Sequence, residues 1–182
     1  MRVGVCLLSI VGFAVFLSSK ETPPRIVHED EFAVVGIEIR TSNAKELTSD
    51  GVIGKQWQRF FQESLLQKIP NKASENIYAV YSDYASDRNG EYSFTLGAKV
   101  QPGSVPPAGF VLKKVRAGNY AVVTSEKGLS AKVVPQTWQR VWVMEDQHGL
   151  GGVRAYYTDF ELYDQRAADP QNAQVDLYIG LK

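Results

Sequence analysis

The segment at residues 157–163 reads YTDFELY. At a strand's period of two, Tyr157, Asp159, Glu161 and Tyr163 share one face, and Tyr156, Thr158, Phe160 and Leu162 share the other. Phenols set around carboxylates are unusual for a plain solvent face. Lining a groove, they make an apolar pocket with a negative charge inside it, suited to flat or greasy molecules that carry positive charge, through stacking, cation–π contact and one charge pair. Near the end of the chain Val175, Leu177, Ile179 and Leu181 form an apolar series, which turns Asp176, Tyr178 and Gly180 the other way. An earlier segment, YSDY at residues 81–84, supplies Tyr81 and Asp83 at positions matching Tyr157 and Asp159. The candidate ligand-binding residues are therefore Glu161, Tyr157, Tyr178 and Tyr81. The two aspartates read as local backbone partners near a bend or turn. A buried glutamate beside tyrosines also offers a second chemistry, general acid or base catalysis in the hydrolysis of a reactive small molecule, its pKa raised by desolvation.

Other chemistries find no support. The sequence has no G-x-S-x-G elbow, H-E-x-x-H pair or G-K-[ST] loop, and HGLGG at residues 148–152 precedes a strand, so it reads as a turn. The single cysteine, Cys6, and two distant histidines, His28 and His148, make no metal site, and no cofactor is implied. Lys plus Arg equals Asp plus Glu at 20 each, which argues against nucleic acid or an anionic membrane surface as the main partner. The expected partner is a small hydrophobic or cationic molecule.

The elements that must position these residues come in two copies. FAVVGIE at 32–38 matches YAVVTSE at 120–126, WQRFF at 57–61 matches WQRVW at 138–142, and YSDY matches YTDF at 157–160. The matches keep their order and their spacing drifts by a few residues, as in two copies that differ in loop length. Alternation of Ala33, Val35, Ile37 and Ile39 predicts one strand over 25–40. Ile53, Trp57, Phe60, Phe61 and Leu65 then predict a helix capped by Ser49 or Asp50 and ended by Pro70, and strands 76–85 and 91–101 follow through a tight Asn89-Gly90 hairpin. The second copy repeats the order with strand 111–126, helix 132–145 and strands 153–163 and 174–182. The expected fold is α+β: two β-α-β-β modules, residues 23–101 and 110–182, related by a pseudo-two-fold axis. Helices cover one face of an antiparallel sheet, a ligand groove lies between the halves, and the opposite sheet face is left for something else. Trp57, Trp138 and Trp142, at core spacing on helix faces, read as packing residues.

Residues 1–22 stand apart from this fold. A short positive start, an uncharged apolar run over 3–17 and a polar stretch after it predict a signal peptide or short membrane anchor, hence a place in the cell envelope.

TPPRIV, FAVVGIEIRTSNA, IGKQWQRFF, IYAVYSDYASDRNGEYSFTLG, VRAGNYAVVTSEKG, YTDFELY and the final VDLYIGLK together resemble the GyrI-like small-molecule-binding domain over residues 23–182. That domain is the effector-binding module of AraC-type and MerR-type multidrug regulators and of integron-associated binding proteins. The resemblance implies two β-α-β-β modules around a ligand groove. It also implies that the glutamate of a DFExY-like string, here Glu161, contacts cationic ligands. No helix-turn-helix signature flanks the segment, so direct nucleic-acid binding is not implied. A protein-interaction role, antagonising a toxin or a gyrase-like target, is the remaining alternative.

Overall fold

The computed structural model describes residues 23–182; the apolar leader, with its reading as an export signal or anchor, lies outside them. Among the described residues no helix is long and apolar enough to cross a membrane.

Eight strands form one antiparallel sheet: β1 (Arg25–Glu29), β2 (Phe32–Ser42), β3 (Ile77–Ser82), β4 (Glu91–Val100), β5 (Val111–Val115), β6 (Gly118–Thr124), β7 (Thr158–Tyr163) and β8 (Asp176–Gly180). Their order across the sheet is β1-β6-β8-β7-β3-β4-β2-β5. Read from either end, this order exchanges each strand of one repeat with its counterpart in the other, so the pseudo-two-fold axis passes between β3 and β7. Each long strand expected at the start of a repeat is instead two strands that part company. β1 leaves its own repeat to pair with β6, while β5 crosses to pair with β2. Alternation cannot reveal such a break, because the short exposed segments Asp30-Glu31 and Arg116-Ala117 fit an exposed strand as well as a turn.

Four helices lie on one face: α1 (Asn43–Glu46), α2 (Ile53–Gln62), α3 (Leu65–Lys68) and α4 (Ser130–Asp146). Phe60 and Leu65 from the first repeat and Val133, Val134, Trp138 and Val141 from the second pack with Val35, Ile37, Phe94, Leu96, Leu177 and Ile179 of the sheet. The opposite face is not left open. Phe32, Tyr78, Tyr120, Phe160 and Tyr178 form a second buried cluster there with Val34, Val80 and Val122, and the Phe160 and Tyr178 rings stack at 4.3 Å between centroids.

Two local expectations also change. The residues 83–90 between β3 and β4 form a longer loop, with Asp83 in the left-handed region at φ 50° and Ala85 N–H bonded to the Glu91 carbonyl, in place of a two-residue hairpin at Asn89-Gly90. Helix α2 is capped neither by Ser49 nor by Asp50. The Glu46 carboxylate, on the last residue of α1, accepts from the Val52 and Ile53 amides at 3.0–3.1 Å and from the Thr41 hydroxyl. An acidic group at a helix N-terminus meets orphan N–H donors and the positive end of the dipole. It also fixes the entry of α2 against the end of β2.

Candidate functional site

Helices α2 and α4 stand apart over the β3–β7 seam, leaving a cavity of about 570 Å³ between them. This is an ordinary volume for a small-molecule site. Trp57 and Phe61 of α2, Trp138 and Trp142 of α4, and Tyr81, Tyr84, Tyr92 and Tyr163 from the sheet side make its walls aromatic, with Val134 of α4 beside them. Leu47 and Phe61, 79% and 59% exposed, are greasy residues on the solvent side of this lining.

Glu161 lies in the floor. In register it pairs with Ala79 of β3, and Tyr81 pairs with Asp159, so Tyr81 is the diagonal neighbour of Glu161 on the same face. The carboxylate is 2% exposed and receives three donors: the Tyr81 hydroxyl at 2.7 Å, the Trp138 indole N–H at 2.6 Å and the Tyr163 hydroxyl at 2.6 Å. The three bonds come from β3, α4 and β7, so both repeats build the cage. Burial pushes the Glu161 pKa above its ordinary value, and the three hydrogen bonds only partly counter it. Burial and then the Glu161 charge hold the Tyr81 and Tyr163 phenols well above their usual range, so both stay protonated as donors.

One end of the cavity is polar. Arg154, 3% exposed in its side chain, donates to Asp159 through Nε at 3.3 Å and Nη2 at 2.8 Å, to Glu145 through Nη1 at 3.2 Å and to the Tyr84 hydroxyl at 3.3 Å. Its guanidinium lies 4.4 Å from the Tyr156 ring centroid and 5.5 Å from that of Trp138. Burial opposes the Arg154 charge, but Asp159 and its hydrogen bonds more than offset this, so the pKa lies above the ordinary arginine value. Asp159 is fully buried and also accepts from Tyr84 at 2.6 Å and from the Gly180 amide at 2.8 Å. It is committed to the frame. Arg154 is balanced by Asp159 and Glu145, whereas the two other carboxylates of the lining, Glu161 in the floor and Glu46 at the α2 cap, have no cationic partner among the described residues.

The four residues predicted from sequence divide evenly. Glu161 and Tyr81 meet in the cavity. Tyr178 lies on the other side of the sheet, because the β7–β8 register sets Phe160 beside Tyr178 and Leu177 beside Glu161. Tyr157 precedes β7, is 53% exposed and stacks under Arg116 at 4.6 Å, away from the cavity. Asp83, on an exposed loop, bonds Lys113 at 2.7 Å. Sequence reasoning placed Tyr163 on the face of Glu161 but did not select it as a ligand-binding residue. It read Trp57, Trp138 and Trp142 as packing, but each of them also faces the cavity, and Trp138 holds the carboxylate. Arg154 carried no signal, since it precedes β7 in an irregular stretch where Tyr156 adopts φ 55°.

Comparison with known proteins agrees with this fold. The chain is 33% identical over 158 residues to YobU of Bacillus subtilis, covering 86% of this chain and 96% of that protein. Its fold matches the integron cassette protein VCH_CASS2 from the mobile metagenome of Vibrio cholerae with a TM-score of 0.69 at 26% identity, over 88% and 96% of the two chains. It matches the structure of SAV2435 bound to tetraphenylphosphonium with a TM-score of 0.72 at 17% identity, over 88% and 94%. These relatives bear out the resemblance to the GyrI-like domain and the α+β fold expected from it. The model of the integron-associated effector-binding proteins matches residues 25–181, and the chain belongs to that family, Cass2.

Proposed function

We propose that this effector-binding protein takes up amphipathic organic cations between its two repeats, with Glu161 as their charge partner. The observation that carries the reading is the Glu161 carboxylate, buried in an aromatic floor and saturated by Tyr81, Trp138 and Tyr163. A compact ammonium ion would lose much hydration on entering such a place. A cation whose charge is spread over, or screened by, apolar groups loses less and gains ring contacts and the field of the carboxylate. The tetraphenylphosphonium bound by the structural relative SAV2435 is a molecule of this kind. The hydrolase reading is less favoured, because both carboxylate oxygens are already engaged by fixed donors, which suits a charge partner better than a base that must take a proton.

The pH dependence follows with a definite sign. Protonation of Glu161 removes the charge that draws the cation, and its pKa lies above the ordinary 4.5. Affinity for a permanently charged cation is therefore expected to be full at alkaline pH and to fall as pH drops through that raised value. Trp57, Trp138 and Trp142 report binding by quenching of their fluorescence, so a titration with tetraphenylphosphonium at a series of pH values checks this. Saturable quenching with an affinity independent of pH would remove Glu161 from the account.

A further inference from the structure

The cavity differs along its length, and strand β7 gives the scale. Asp159, Glu161 and Tyr163 are successive residues on its cavity face, two positions or about 7 Å apart along the strand. Asp159 holds Arg154 and Tyr84 at one end, and Tyr163 packs against Trp57 at 4.7 Å at the other. Helix α4 runs in the opposite sense, with Glu145 bonded to Arg154, Trp138 to Glu161, and Val134 and Pro135 lining the cavity nearer its start. Glu161 therefore sits between an apolar end and a polar end.

The polar end has donors to spare. A guanidinium carries five N–H groups. Arg154 uses its Nε once, Nη2 twice and Nη1 once, which leaves one Nη1 hydrogen uncommitted. Asn43, also in the cavity wall, gives one amide hydrogen to the Arg88 carbonyl at 2.8 Å and accepts from the Tyr92 hydroxyl at 3.1 Å. That network fixes the orientation of the amide and leaves its second N–H free. An entirely apolar cation that displaced water here would strand both donors. The Arg154 charge is already balanced by Asp159 and Glu145, so the group required is a neutral acceptor rather than an anion.

Resting on the reading of Glu161 given above, we infer that the cavity prefers organic cations bearing a neutral hydrogen-bond acceptor, such as a carbonyl oxygen, which seats at Arg154 and Asn43 about 7 Å from the charge. Sites with buried donors discriminate strongly against analogues that lack the matching acceptor.

A matched pair of benzyldimethylammonium ions tests this with the full chain. The fourth substituent is a short chain ending either in a methyl ketone or in the isosteric isopropenyl group. Calorimetric titration is expected to show the ketone binding about tenfold more tightly. Asn43→Ala and Arg154→Lys, the latter keeping the buried positive charge, should each narrow that gap mainly by weakening the ketone. Equal affinities, or a gap unchanged in both variants, overturns the inference. Glu161→Gln separates the two readings. Loss of both cations in that variant, with no ketone preference in the parent, overturns only this inference. A ketone preference with no dependence on Glu161 overturns both.

Discussion

In the Glu161→Gln protein, affinity for tetraphenylphosphonium is expected to fall at least tenfold at neutral pH, while the fold becomes no less stable. One charged contact in a desolvated site is worth about 1.5 to 3 kcal/mol, so tenfold is the lower end of the expected loss. The neutral amide can keep the cage. Its oxygen accepts from Tyr81 and Trp138 as Oε1 does now, and its nitrogen donates to the Tyr163 hydroxyl, which reverses its role. Stability moves the other way because of the sign of the pKa shift. A carboxyl whose pKa is raised on folding favours the fold while it is protonated, and that contribution is lost as pH rises through the folded pKa. The substituted amide does not ionise and carries no such cost, so the melting temperature of the variant relative to the parent should climb with pH over that window. Calorimetric titration and thermal melts on one preparation read both effects. A variant that binds the cation as the parent does, or that melts far below it at neutral pH, would contradict the assignment of Glu161 as a desolvated charge partner.

The largest stability effect is expected at Arg154. Replacing it with Met leaves Asp159 buried with its charge facing only Tyr84 and the Gly180 amide, and removes the guanidinium from between Tyr156 and Trp138. Breaking one side of a buried pair costs about 3 to 5 kcal/mol, most of it from the partner left behind. Urea unfolding at neutral pH should register a loss of that size, and Asp159→Asn in the Arg154→Met background should recover part of it by removing the stranded charge. A loss below about 1 kcal/mol would mean that the pair is solvated and is not part of the frame. The pair links the residues before β7, the last turn of α4 and the start of the 83–90 loop. Its failure would therefore open the polar end of the cavity as well as weaken the fold.

How much of this was legible before the structure depended on whether a signal was local. The repeat and the alternation in β7 follow from period and order along the chain, whereas the diagonal closeness of Tyr81 and Glu161 comes from the β3–β7 ladder. Tyr178 shows where that reasoning stops. The face each residue takes within β7 and within β8 was right, but which face of one strand continues which face of the other is set by the ladder, and no residue in either strand records it. The crossing of β1 and β5 into the opposite repeats is hidden for the same reason, since a strand's pattern shows that one side is buried but not which neighbour pairs with it. Trp138 has the spacing of a packing residue and is one. Its second task, holding the Glu161 carboxylate, depends on how far α4 stands above the sheet. Glu46 caps α2 from six and seven residues away, beyond the reach of the usual capping pattern in which Ser49 or Asp50 would serve.

The central claim is that the cavity selects by the sign of charge as well as by greasiness. Tetraphenylphosphonium and tetraphenylborate separate these, having nearly the same size and shape and opposite charge. Titrated side by side into the same protein at neutral pH, the phosphonium is expected to bind saturably and the borate at least tenfold more weakly, the difference arising from the buried Glu161 carboxylate, which has no cationic partner among the described residues. Equal affinities, or a preference for the borate, would contradict the account and leave only a greasy cavity without a charge partner.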